Sequence, residues 1–197
     1  GNPIGGTLVL MTDGSYTFMP SPGFTGEASF RYEVCDDGVP MACDTATVLI
    51  DVIDNTDPNN NQVIGNEDNI ITEEGVTTTI NVLSNDTDPD GDNLVINTNA
   101  ITPPTNGTVT IMPDGTIEYT PNPDFVGTET FEYEVCDDGT PVTCDTVLVT
   151  IEVLEDDGEN DVYATDDAET GNMNQDIMGS VLDNDNDPEG DNLTVAT

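Results

Sequence analysis

An internal repeat of about 100 residues constrains this chain more than any other feature of its sequence. The stretch FRYEVCDDGVPMACDTATVLIDV at 30–52 recurs as FEYEVCDDGTPVTCDTVLVTIEV at 131–153, an offset of 101 residues. MTDGSYTFMPSPGFTG recurs as MPDGTIEYTPNPDFVG at the same offset, and an acidic stretch recurs at an offset of 99 residues. A unit of this length has the size of a whole folded module and exceeds the short unit of a solenoid.

Residues 62–154 form the one complete copy, and their pattern predicts an all-β module. Short apolar runs rich in Val, Ile, Thr and Tyr alternate with Gly, Pro, Asn and Asp, and no helical period is present. Seven strands at this spacing predict an Ig-like β-sandwich. The predicted strands are 68–72, 77–83, 94–100, 107–112, 116–120, 130–136 and 144–154.

The repeat also predicts how the chain divides into modules. Residues 1–54 supply the C-terminal part of an Ig-like module, and residues 162–197 supply the N-terminal part of a third one. Residues 55–61 and 155–161 are the linkers that flank the complete module. Alone, each half would expose apolar strand faces and unpaired edges. We therefore expect neighbouring copies of the repeat to complete them, by covalent continuation or by strand complementation in a filament.

Each copy contains two cysteines eight positions apart, on the outward parity of a predicted hairpin, so that they can face each other. Four cysteines allow three pairings, and the repeat favours the local one, Cys35 with Cys43 and Cys136 with Cys144. A structural zinc site is the rival interpretation, but it needs four ligands and the chain has no histidine. The pattern predicts two disulfides and an oxidising, extracellular compartment.

The charge balance limits the possible partners. The chain has 41 acidic residues and one basic residue, which gives a formal net charge of -40. Nucleic acids and anionic membrane surfaces attract cationic patches, so neither is an expected partner. No apolar run approaches the roughly 18 residues that a membrane span needs, and direct membrane insertion is not expected. The counter-charge for the acids must come from solution.

Two acidic loops carry the most specific chemical signal. The loop NVLSNDTDPDGDNLVI at 81–96 alternates carboxylates with other residues, and SVLDNDNDPEGDNLTV at 180–195 repeats the pattern. Alternating carboxylates followed by a glycine match the first half of an EF-hand calcium loop. The second half does not match, because Asn97 stands where the closing Glu is needed and Pro89 interrupts the loop. The remaining ligands must come from elsewhere.

Oxygen ligands in a flexible loop favour calcium over magnesium, which needs a stricter octahedron, and over transition metals, which prefer His or Cys. The remaining donors are expected at the entrances of the repeats and in the linkers. An ion shared between a module and the preceding linker would fix the angle between neighbouring modules. The predicted calcium ligands are Glu67, Asp68, Asp86, Asp88, Asp90, Asp92, Asp166, Asp167, Asp185, Asp187, Glu189, Asp191, Asp54, Asp57, Asp156 and Asp157.

The run NVLSNDTDPDGDNL, followed by NGTVTIMPDGTIEYTPNPDFVGTETFEYEV, resembles the tandem Ig-like or cadherin-like repeats, including the VCBS type, of large bacterial surface adhesins. The resemblance covers essentially the whole chain. It implies a β-sandwich, calcium near module junctions, export to the cell surface and a spacer or adhesive role with a host or cell-surface receptor. The cysteine hairpin departs from many such repeats, and we expect this variant in Bacteroidetes-type surface proteins.

Three other interpretations of the sequence compete with this one. The acids could merely hydrate the surface, as in proteins from salty water, but they concentrate in the loops, linkers and repeat entrances. Catalysis is not expected, because the chain has no His or Lys and its acid clusters lie in hydrophilic loops. A ligand- or glycan-binding adhesin module is the stronger alternative. Most aromatic residues match core positions of the other copy, which leaves only Tyr163 for such a surface.

Thiol titration tests the disulfide prediction. We expect the native protein, denatured without reductant, to show no free thiol, because all four cysteines are paired within their hairpins. Prior reduction should release all four thiols. Four free cysteines without reduction would contradict the prediction.

Overall fold

The computed structural model describes residues 3–54, 62–98, 102–112 and 114–196. All the regular elements in this part of the chain are β-strands, as the alternating pattern predicts. The strands are β1 (Gly6–Leu10), β2 (Ser15–Pro20), β3 (Gly26–Cys35), β4 (Cys43–Ile53), β5 (Asp68–Glu73), β6 (Thr78–Ile80), β7 (Val95–Ile96), β8 (Gly107–Ile111), β9 (Ile117–Pro121), β10 (Gly127–Cys136), β11 (Cys144–Leu154), β12 (Asp167–Asn172), β13 (Ile177–Ser180) and β14 (Thr194–Val195).

Strands β5 to β11 form one sandwich, which we call the complete module. One sheet has the order β5-β11-β10-β7 and the other has the order β6-β9-β8. The long hairpin β10–β11 supplies the centre of the larger sheet, and β5 adds to β11 in parallel. The backbone of β11 is therefore hydrogen-bonded along both edges, which places this strand in the middle of the fold.

The two ends of the chain together form a second sandwich, which we call the composite module. Its larger sheet has the order β12-β4-β3-β14, and its smaller sheet joins β1, β2 and β13. This is the topology of the complete module, with β12 parallel to β4 as β5 is to β11. The expectation that a neighbouring copy must supply the missing strands is wrong for this structure. The opposite end of the same chain supplies them and buries the apolar faces.

Strand alternation fills both cores as the sequence predicts. Phe131 lies opposite Val149 and Tyr133 opposite Val147 in the β10–β11 hairpin, and all four side chains are buried between the sheets. Cys136 lies directly opposite Cys144, and Cys35 lies directly opposite Cys43. Both disulfides are formed, which confirms the predicted pairings.

Some strand bounds differ from the prediction. Strand β6 ends at Ile80, whereas the apolar pattern predicts a strand to residue 83. The chain turns there because Ser84 donates both its backbone N–H and its hydroxyl to the carbonyl of Asn81, at 3.1 and 2.7 Å. Val82 remains buried although it lies outside the strand. The apolar pattern therefore predicts the burial of Val82 correctly, but it does not predict where the strand ends.

Two neighbouring residues of β4 test the composite core. Ile50 is 0% exposed, whereas Leu49 is 50% exposed on the opposite face of the same strand. We expect Ile50→Ala to lower the free energy of unfolding by about 2–5 kcal/mol, because it removes packed methyl groups and leaves a cavity. Leu49→Ala, the matched control, should cost less than about 1 kcal/mol. Denaturant unfolding measures both, and equal costs would contradict the composite core.

Candidate metal centres in the acidic loops

Each acidic loop is folded around one aspartate. Asp88 Oδ1 accepts the backbone N–H groups of Asp90, Gly91 and Asp92, at 2.8, 3.0 and 3.3 Å. Asp187 Oδ1 does the same for Gly190 and Asp191, at 2.7 and 3.1 Å. In both loops the other carboxylate oxygen, Oδ2, is buried and has no hydrogen-bond partner. A buried oxygen without a partner costs free energy, and a bound cation would offset that cost.

The glycine of each loop is needed for the turn. Gly91 has a φ of 85° and Gly190 a φ of 80°, in the left-handed region where a side chain is strained. At this turn the N–H groups of Gly91 and Gly190 donate to Asp88 and Asp187. The glycine of the acidic-loop motif is therefore explained by this turn, and flanking helices of the EF-hand type are not needed for it.

The tip of the cysteine hairpin closes against the acidic loop in both modules. Asp138 accepts the backbone and side-chain N–H groups of Asn93 at 2.9 and 3.0 Å, and Asp37 accepts those of Asn192 at 2.8 and 3.0 Å. These hydrogen bonds lower the pKa of Asp37 and of Asp138 below the usual range. The hairpin and the loop are therefore held together with both aspartates ionised.

This contact creates a three-carboxylate cluster in the composite module. Oxygens of Asp36, Asp187 and Asp191 all lie within 4.8 Å of one another. Loss of hydration and the charges of Asp187, Asp37 and Asp36 raise the pKa of Asp191. In the complete module, loss of hydration and neighbouring acids, Asp88 first among them, likewise raise the pKa of Asp92.

Sequence reasoning missed the hairpin acids of these clusters, which are Asp36, Asp37, Asp137 and Asp138. Asp36 and Asp137 are buried, and each accepts backbone N–H groups across its own hairpin turn. A signal was present, because the motif CDDG occurs in both copies. The same motif also fits a disulfide hairpin, which is the role that the sequence predicts for it.

A second type of acidic cluster lies deeper, where a tyrosine hydroxyl reaches a buried aspartate. Tyr133 Oη lies 2.8 Å from Asp86 Oδ2 and donates to the carbonyl of Val82 at 2.6 Å. The composite module repeats this arrangement, with Tyr32 Oη 2.9 Å from Asp185 Oδ1. The first acids of β5 and β12, Asp68 and Asp167, complete these two clusters.

Burial dominates the electrostatics of the deep clusters. It raises the pKa of Asp86 and that of Asp185 to about 7. Burial, followed by the charge of Asp185, raises the pKa of Asp167 to about 9. Burial and the charge of Asp86 raise the pKa of Asp68 well above its usual value. Burial disfavours the ionised form of these carboxyl groups, so each of them needs a proton or a nearby cation.

A third group of acids lies at the junction of the two modules. Tyr163, the aromatic residue outside both cores, donates its hydroxyl to Glu73 of the complete module at 2.7 Å. The backbone N–H of Asp161, in the linker, donates to Glu189 at 3.3 Å. Burial first, and then the charges of Glu189, Asp156 and Asp161, raise the pKa of Glu73. The linker, the acidic loop of the composite module and strand β5 therefore each place an acidic residue at this junction.

The other predicted ligands are less buried. Glu67 and Asp166 are exposed beside Asp68 and Asp167, and Asp166 accepts the backbone N–H of Thr47 at 2.8 Å. Asp90 and Asp54 are also exposed. Asp156 and Asp157 are exposed and accept N–H groups of their own linker turn. Asp57 lies outside the described residues.

Comparison with known proteins places the chain among bacterial modules. A family model described as a bacterial Ig domain matches residues 1–51 and 58–152. No match was found among curated proteins. No helix among the described residues is long and apolar enough to cross a membrane.

Several solved structures are distantly similar. An endo-fucoidan hydrolase from glycoside hydrolase family 107 has 22% identity and a TM-score of 0.38, over 78% of this chain and 23% of that chain. Mouse clustered PcdhgC3 EC1-3 has 18% identity and a TM-score of 0.29, over 65% of this chain and 42% of that one. The Protocadherin GammaB4 extracellular domain has 13% identity and a TM-score of 0.37, over 83% of this chain and 28% of that one. Similarities of this size carry no functional argument.

The buried acids predict how stability depends on pH in calcium-depleted protein. Between a pH of about 4 and the raised pKa values of about 7 to 9, the folded chain keeps protons that the unfolded chain has released. The free energy of unfolding should therefore fall as the pH rises through this window. The lowered pKa values of Asp37 and Asp138 act below this window. Urea unfolding across the window measures the trend, and constant or rising stability would contradict it.

Proposed function

Because the chain belongs to the bacterial Ig domain family, we propose that it is a spacer segment of a long extracellular adhesin or filament, held rigid by calcium at and near its module junctions. The observation that carries this proposal is the cluster of Asp36, Asp187 and Asp191 oxygens within 4.8 Å of one another. The chain has one basic residue for 41 acids, so a cation from solution must offset such clusters.

The donor set fits calcium. Every candidate side chain offers carboxylate or amide oxygen, and the cysteines are consumed in disulfides. The buried, unpartnered Oδ2 atoms of Asp88 and Asp187 mark the equivalent place in both loops. Calcium bound there would supply the positive charge that joins the acidic loop to the hairpin tip. In the composite module, it would connect residues from the two ends of the chain.

The junction acids give the second part of the mechanism. Glu73 belongs to the complete module, Asp161 to the linker and Glu189 to the composite module, and their charges repel one another. A cation among them would replace this repulsion by attraction to a shared centre. The angle between the modules would then be fixed, which is the property a spacer needs.

The two disulfides support an extracellular location, because disulfides persist in oxidising compartments. A catalytic role is not part of the proposal, because the chain lacks the His and Lys that most such sites use. The glycan-binding alternative has no structural support. All ten aromatic residues lie in the described part of the chain, and none of them is an exposed side chain.

Calcium titration of a hairpin variant tests the proposal. At a site affinity of about 10⁻⁴ M, a few millimolar calcium should stabilise the fold by roughly 2 kcal/mol per site. Asp36→Asn keeps the size of the side chain but removes its charge, and it should lose about that amount of calcium-dependent stabilisation. Asp51→Asn is the matched control, because Asp51 is exposed on the neighbouring strand.

Small-angle scattering tests the mechanical part. Wild-type protein should become more flexible when a chelator removes calcium, because the junction acids then repel one another. An unchanged maximum dimension and an unchanged flexibility would overturn the rigid-spacer proposal. Calcium binding without any effect of Asp36→Asn would overturn the assignment of the hairpin cluster alone.

A further inference from the structure

An open groove lies in the composite module, between the free edge of strand β3 and the start of the smaller sheet. One wall is the stretch from Glu27 to Arg31, and the other wall includes Ile4, Leu8 and Leu10. Its volume is about 660 Å³, and sites for small-molecule ligands measure about 300–1,000 Å³. None of the predicted calcium ligands lines it.

The complete module fills the equivalent position with one of its own side chains. Glu129 is only 5% exposed, and its carboxylate accepts the backbone N–H of Asn106 and, at 3.1 Å, that of Thr130. At the offset of 101 residues, the composite module has Ala28 in place of Glu129. The groove therefore includes the place that an internal carboxylate occupies in the other copy.

The first donor of this carboxylate is kept in the composite module. Gly5 stands at the position of Asn106. The local backbone is the same, because Ser21 N–H donates to the carbonyl of Gly5 at 2.7 Å, and Asn122 N–H donates to that of Asn106 at 2.8 Å. The Gly5 N–H itself has no hydrogen-bond partner within the described part of the chain.

The second donor is kept as well. Ser29 stands at the position of Thr130. Glu33 accepts the backbone N–H of Ala196 at the edge of β3 that faces away from β4. Backbone groups alternate between the two edges of a strand, so Ser29, four residues before Glu33, presents its N–H to the same edge. Among the described strands, β14 pairs with this edge only further along, at Val34 and Cys35.

Two further differences between the copies suit a carboxylate that has an apolar chain. Ile4 replaces Thr105, and it is 85% exposed beside the buried Phe30. Arg31, the only basic residue of the chain, replaces Glu132. The groove thus combines an apolar wall, two backbone N–H groups and a cation, and a guanidinium forms strong hydrogen bonds with carboxylates.

The charge around the groove is balanced, although the chain is very acidic. The stretch from Glu27 to Arg31 has one acid and one base, and four residues of strand separate the two by roughly 13 Å. The formal net charge of -40 repels anions at long range, but at about 0.15 M ionic strength charges are screened beyond about 8 Å. A carboxylate at the Arg31 end therefore meets a local cation.

We propose that this groove binds a small carboxylate with an apolar chain, which is either a free fatty acid or the apolar C-terminus of a peptide. The carboxylate accepts the N–H groups of Gly5 and Ser29 beside Arg31, and the chain lies along Ile4 and Phe30. The site uses no residue of the acidic clusters. It goes beyond the spacer role, and loss of calcium binding would overturn that role without affecting this site.

Calorimetric titration of the full chain with octanoate tests the site. The buffer contains a chelator, so that calcium does not contribute. One octanoate should bind per chain, more tightly than octan-1-ol, which lacks the charge, and more tightly than acetate, which lacks the apolar chain. Absence of saturable octanoate binding, or equal affinities for octanoate and octan-1-ol, would overturn the proposal.

Two variants and a matched control locate the binding. Arg31→Gln should weaken octanoate binding roughly threefold to tenfold, because it removes an exposed charge-assisted contact. Ala28→Glu should abolish it, because the new side chain fills the groove as Glu129 does in the other copy. Thr17→Glu, the control, also installs the residue of the other copy, Glu118, on the outward face of β2, and it should bind like the wild type.

The variants can also contradict the proposal. Unchanged affinity in Arg31→Gln would overturn it, and this exposed substitution does not disturb the core. Equal losses in Ala28→Glu and Thr17→Glu would mean that added charge alone repels octanoate, and they would overturn the site as well.

Methyl NMR and a second ligand complete the test. Octanoate should shift the methyl resonances of Ile4, Leu8 and Leu10, and shifts confined to other methyl groups would overturn the assignment. N-acetyl-leucyl-leucine carries the same carboxylate on a peptide. Tighter binding of this peptide than of octanoate would support the proposal with a peptide C-terminus as the ligand, and the reverse order would support it with a free acid.

Discussion

Burying a carboxylate costs free energy unless hydrogen bonds or a cation replace its water. This chain buries several, including Asp68, Asp86 and Asp36, although it has a single basic residue. Backbone N–H groups offset part of the cost in the loops and hairpin tips, where one oxygen of each aspartate holds the local turn. The second oxygen of Asp68, Asp88, Asp167 and Asp187 is left without a partner. The sandwich is therefore built around carboxylates that need a proton or a cation.

The β-sandwich fixes the positions of these acidic side chains. Strands β10 and β3 place Tyr133 and Tyr32 next to the buried aspartates. The hairpins that these strands begin place the CDDG motif next to the acidic loops. Each hairpin is fixed by its disulfide and by a long antiparallel register. The loops between β6 and β7, and between β13 and β14, are irregular, and hydrogen bonds from Asn93 and Asn192 hold them against the hairpin tips. Rigid strands and tethered loops together set the distances between the acids.

The two modules share one topology but differ in a consistent way near their contact. Where the complete module has Ile70, Ile80 and Ile117, the composite module has Glu169, Gly179 and Tyr16. A Cβ atom on Gly179 would come within 2.8 Å of Tyr16 Oη, so the small residue makes room for the larger one. Burial and the charges of Asp86 and Asp183 raise the pKa of Glu169 to about 8. The composite module is thus the more polar partner, and its additional acids, Glu169 and Asp183, lie near the acidic loop of the complete module.

The sequence by itself determined the fold class, the two disulfide pairings and the inward parity of the long hairpin strands, because alternation and the repeat are local properties of a chain. It also identified Asp68, Asp86, Asp88 and their counterparts as residues of interest from spacing alone. Only the tertiary structure decided that the two ends of the chain complete one sandwich, since either this chain or a second copy could satisfy the same strand edges. It also decided which acids meet. Asp36 reaches Asp187 and Asp191, and Asp68 shares a cavity with Asp183, because residues far apart in sequence are joined by strand pairing and by the packing of one module on the other.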